Sequence, residues 1–87
     1  MVRTYSDQLI VLEVDCDEER GVPHTIVTAE TQYRNKPKEV KIHFYGKLAE
    51  QAGDRLIPGM RFTYRGYVAL EDAEPPKLVA ATFTPIA

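Results

Sequence analysis

The 87-residue chain has one cysteine, no tryptophan, two histidines and no apolar run near the ~20 residues that a bilayer span needs. Each shortage closes a class of function. A single thiol, Cys16, excludes an internal disulfide, and its acidic neighbours Asp15, Asp17, Glu18 and Glu19 make it a poor nucleophile. His24 and His43 have no Cys or His beside them at ligand spacing, so neither a metal site nor a cofactor is expected. The acids from Asp15 to Glu19 lack the spacing and glycine of a calcium loop. No Ser–His–Asp signature or phosphate-cradling glycine loop is present, and no catalytic residue is assigned. Met1 to Asp7 lacks the apolar centre of a signal peptide, which predicts a cytoplasmic protein. The chemistry left open is binding.

Charge is plentiful but uneven. From Thr31 to Tyr67 eight bases face three acids, whereas the flanks carry three bases against ten acids. The net charge of −2 conceals a basic middle of the kind a polyanion-binding face requires. The length fits one domain, residues 1–87, which buries about two-thirds of its unfolded surface and so needs nearly every apolar strand position.

The apolar positions recur at strand period. Leu9 to Val14 reads as a first strand, Asp15 to Pro23 as an acidic loop, and Thr25 to Tyr33 as a second strand. Arg34 to Pro37 has turn chemistry. Val40, Ile42 and Phe44 then alternate with Lys41, His43 and Tyr45, a core side against a basic-aromatic side. Lys47 to Ala52 is a short helix that Gly53 is placed to end. Pro58-Gly59 suits a type II turn, and Phe62, Tyr64 and Val68 mark a fourth strand with a bulge or bend at Gly66. Glu71 to Pro76 reads as an acidic loop, and Lys77 to Thr84 as a fifth strand stopped by Pro85. Five strands with one helix between the third and fourth predict an all-β Greek-key barrel of the OB-fold type. Phe44, Phe62, Tyr64 and Phe83 are expected in its core.

The run Phe44-Tyr45-Gly46-Lys47-Leu48-Ala49-Glu50-Gln51-Ala52-Gly53 resembles the bacterial and phage single-stranded DNA-binding proteins, where an aromatic and Gly precede a Lys-Leu-Ala-Glu helix. The resemblance continues through Leu56, Gly59 and Gly66 and includes Thr31 to Lys36, so it spans Thr31 to Val68. It implies that Tyr33 and Tyr45 fall where relatives stack aromatics on bases, with Arg34 beside the first. Glu39 falls where many relatives have tryptophan, which replaces a stacking platform by a negative charge. The acidic flanking loops are a second departure, and the acidic tip that relatives carry beyond the barrel has no counterpart in these 87 residues.

A sequence-tolerant binder of single strands needs flat aromatics for base faces and cations for the backbone. The residues that fit are Tyr33, Arg34, Lys41, His43, Tyr45, Arg61, Arg65 and Tyr67. The expected function is binding of single-stranded nucleic acid, chiefly DNA, in replication, recombination or repair. The same residues also suit a plain wet sheet face, since tyrosine is a good strand former and surface cations keep proteins dispersed. Glu39 and the acidic loops keep a second function open, an OB-fold assembly subunit that does not bind nucleic acid strongly. Leu9 to Val14, apolar on both faces, predicts a homodimer or homotetramer through the first strand.

Overall fold

The alternation at Val40 to Tyr45 builds a one-sided strand, with Ile42 and Phe44 fully buried, Val40 partly buried and Lys41 exposed. That strand belongs to a computed structural model describing residues 2–4, 8–33, 36–71 and 74–86. The elements are β1 (Val2–Thr4), β2 (Leu9–Glu19), β3 (Val22–Tyr33), β4 (Lys36–Tyr45), α1 (Lys47–Arg55), β5 (Arg61–Glu71) and β6 (Glu74–Ile86). β2, β3 and β4 pair antiparallel in turn, and β4 meets β6 in parallel at Ile42–Leu78 and His43–Val79. β6 pairs antiparallel with β5, which returns to β2 through Leu9–Phe62 and Ile10–Arg61. The ring closes. β2 to β6 form a five-stranded OB-fold barrel with the helix between its third and fourth strands, and β1 adds to the edge of β5.

Leu9, Val11, Val27, Ile42, Phe44, Phe62 and Tyr64 fill the barrel, and Ala49, Ala52 and Leu56 cap it from the helix side. Phe83 is only partly buried but meets Phe44 edge-on, with centroids 5.5 Å apart. Gly66 is dictated by close approach. A Cβ there would lie 2.0 Å from the Val79 carbonyl oxygen, at a register shift where β6 carries one residue more than β5.

The expected loop from Asp15 to Pro23 is instead a two-stranded ribbon. β2 runs to Glu19, β3 begins at Val22, and Arg20 and Gly21 turn the chain with φ of 54° and 79°. Positive φ at both turn residues is the type I′ geometry that matches strand twist. The acids are tolerated because, among the described residues, this part of β2 pairs only with β3 and its side chains from Asp15 to Glu19 are exposed. Gly53 does not end the helix, which continues to Arg55. A Cβ at Gly53 would come within 2.9 Å of Cys16 Sγ, so the glycine lets α1 lie against β2. β4 already includes Lys36 and Pro37, where a turn was expected. Glu71 ends β5 and Glu74 to Pro76 open β6, paired at Glu71–Glu74, so only residues 72 and 73 of that expected loop fall outside the described strands. Pro85 stays within β6 opposite Phe62. Among the described residues β5 is its one strand partner there, and a strand with an unpaired side can hold a proline. Pro58 and Gly59 form the expected turn, with Gly59 at φ 90° and the Met60 amide donating to the Ile57 carbonyl at 3.0 Å.

Candidate nucleic-acid interface

Residues paired across strands share a face, so the register assembles the outer surface of the barrel row by row. One row crosses five strands: Asp15, Ile26, His43, Val79 and Tyr67. Its neighbours are Glu13, Thr28 and Lys41 on one side and Asp17, His24 and Tyr45 on the other. Lys77 lies two residues before Val79 on β6 and so shares this face, as does Arg65, two residues before Tyr67 on β5. The rows have a sense. β2 contributes only acids to them, and β4 contributes a lysine and two aromatic rings.

Rings gather where β3 meets β4. Tyr45 stacks on His24 with centroids 4.6 Å apart and planes within 8°. His24 Nε2 and His43 Nδ1 are hydrogen-bonded at 2.9 Å, with planes within 13° and centroids 5.1 Å apart. That separation is what two imidazoles joined edge to edge require, so the histidines lie side by side in a sheet and only Tyr45 stacks. His24 is buried, His43 and Tyr45 are half-exposed, and His24 Nδ1 lies 3.8 Å from Glu19 Oε2. Partial burial holds the His43 pKa below its ordinary value, helped by the nearby His24, Lys77 and Lys41 and opposed by Glu19. His43 is therefore neutral at pH 7, a ring for stacking and not a standing charge.

Of the expected site residues, Lys41, His43, Tyr45, Arg65 and Tyr67 share this face. Arg61 is set apart. It pairs with Ile10 and Ile86, donates to Gln8 Oε1 at 3.5 Å, and lies six residues, roughly 20 Å of strand, from Tyr67. Tyr33 pairs with Lys36 where β3 gives way to β4, and its side chain and the whole of Arg34 lie outside the described residues. Glu39 is exposed and paired with Glu30. Sequence reasoning missed His24 and Lys77. The signal for His24 was the register: once Tyr33 pairs with Lys36, the pairing carries on to His24 with Tyr45.

An open groove of about 370 Å³ separates α1 from the β2–β3 ribbon. Asp17, Glu50 and Asp54 line it, so it repels phosphate and leaves the sheet face as the surface suited to a polyanion. Among the described residues no cluster of three or more His, Cys, Asp or Glu could hold a metal, and no helix is long and apolar enough to cross a membrane.

No protein-family model matches the sequence, and no curated protein matches it. Solved structures do. The barrel is similar to the SSB domain of a Synechococcus protein, with a TM-score of 0.74 and 12% identity over 93% of this chain and 97% of that one. It is similar to priB from Ralstonia solanacearum, with a TM-score of 0.73 and 16% identity over 94% and 100%. The single-stranded DNA binding protein of Thermus aquaticus gives a TM-score of 0.71 and 16% identity over 93% of this chain and half of that one. The architecture is thus that of an SSB-like OB fold.

Proposed function

We propose that the chain binds single-stranded nucleic acid, DNA above all, across the outer face of β4, β6 and β5. The observation that carries the reading is the register row that sets His43 and Tyr67 on one face, flanked by Tyr45, Lys41 and Lys77. Aromatic faces at strand spacing accept successive bases whatever their sequence, and the cations meet the phosphates between them. The fold supports the reading because two of the similar structures are single-stranded DNA binding domains or proteins by name. Work in replication, recombination or repair follows from that ligand.

The second reading, an assembly subunit, draws on Glu13, Asp15, Asp17 and Glu19 of β2, which face the same way as the cations. Self-association fits either reading. Leu9 and Val11 are core, so the outward pair Ile10 and Leu12 is the part of the first strand free to meet a second copy.

Fluorescence anisotropy of a labelled oligothymidine at two salt concentrations tests the proposal. Three or four phosphate contacts give a salt slope of about −2 to −3, at roughly −0.7 for each phosphate on a single strand. Absence of binding at low salt hands the function to the assembly reading.

A further inference from the structure

Protonation of the two imidazoles follows from who faces whom. Glu19 confronts His24 Nδ1 at 3.8 Å, which favours a hydrogen on that nitrogen. His24 Nε2 then accepts from His43 Nδ1–H when both rings are neutral. One proton added at His43 Nε2 leaves the Nδ1–H of that ring donating across the same 2.9 Å contact, and the hydrogen bond survives. A second proton would set two N–H groups against each other and break it. The pair is built to take one proton without moving.

We propose that His24 is a positioning residue for the nucleic-acid face: it holds His43 edge-on, supports Tyr45 from behind, and lets the three-ring platform gain one positive charge as the solution becomes acidic. This rests on the reading that Tyr45 and His43 contact the ligand. The charged and titratable groups around the pair are Asp17 and Glu19 from β2, Lys41 and Tyr45 from β4, Lys77 from β6, Tyr67 from β5, and Glu50 and Asp54 from α1 across the groove. Lys41 and Lys77 oppose the added proton. Phosphate laid against them neutralises that opposition, so ligand and proton favour one another.

The test has one arm without ligand and one with it. In the free protein, long-range ¹⁵N–¹H spectra of the imidazoles should show one coupled step and a hydrogen-bonded Nδ1 at His43. Two independent titrations would overturn the inference whether or not the protein binds DNA. In the second arm, oligothymidine affinity is measured from pH 8 to pH 5.5 for the parent, His24→Phe and His24→Ala. The parent should tighten by about three- to tenfold, the effect of roughly one added phosphate contact. His24→Phe keeps a flat ring behind Tyr45 but offers the His43 Nδ1–H no acceptor, so it should flatten that profile. His24→Ala should bind more weakly at every pH. A parent-like profile in His24→Phe would overturn the proposal, and circular dichroism establishes that each variant is folded. If the parent binds at no pH, the functional reading fails, and the free-protein spectra still decide the pair.

Discussion

β2 and β4 flank β3 at equal distance and face the same way, yet they offer opposite surfaces. Across Thr28, Ile26 and His24, the acids Glu13, Asp15 and Asp17 of β2 stand in register with Lys41, His43 and Tyr45 of β4. The two rows are two strand spacings apart, roughly 10 Å, which is about one Debye length at 0.1 M salt. A phosphate over β4 therefore still feels the acids of β2 in dilute buffer and feels them less as salt rises. On the proposed function the difference acts as a fence: a strand of nucleic acid would be drawn toward β6 and β5 and turned away from the ribbon.

The largest effect should come from the other side of β4. Phe44 is fully buried against Phe83, and Phe44→Ala should cost about 3–5 kcal/mol of stability by chemical denaturation. Tyr45→Ala, one residue on, should cost about 1–3 kcal/mol of binding, roughly 5- to 150-fold in oligothymidine affinity. Its effect on stability should stay near 1 kcal/mol, the value of its ring stack on His24. Glu39→Trp should tighten binding by a similar stacking increment, since Glu39 is exposed and already opposes Glu30. Parent-like affinity in both variants would erase the distinction between the strands.

Smaller effects sharpen it. Asp15→Asn combined with Asp17→Asn should raise affinity a few-fold in low salt, a gain that fades at high salt. A gain that persists at high salt would place those acids in direct contact with the ligand. The least effect is on the pH dependence of folding. The His43 pKa is lowered in the folded state, so below its ordinary value near 6.5 the unfolded chain binds the proton more readily. Stability from this group is complete above that value and declines as pH falls through it toward the folded pKa. His43→Gln should lose that part of the decline in Tm between pH 7 and 5.5.

The residues that revealed themselves in the sequence were those whose neighbours lie close along the chain. Val40 to Tyr45 declares its two faces by simple alternation, and Pro58-Gly59 declares its turn by backbone chemistry. The ribbon from Asp15 to Pro23 was hidden because acids are poor strand formers and a two-sided wet ribbon needs no apolar alternation. Gly53 resembled a helix stop because the need for glycine there comes from Cys16, far along the chain. His24 was hidden for the same reason. Its partners His43 and Tyr45 arrive through the β3–β4 register, which no local pattern along the chain declares.

The division between β2 and β4 is most directly tested by mapping amide and side-chain NMR shifts of the protein during titration with oligothymidine. The account predicts perturbations concentrated at Lys41, His43, Tyr45, Tyr67 and Lys77, with Glu13, Asp15 and Asp17 little changed. Shifts centred on the β2 acids or on the groove beside α1, or no shifts at saturating oligonucleotide, would contradict it.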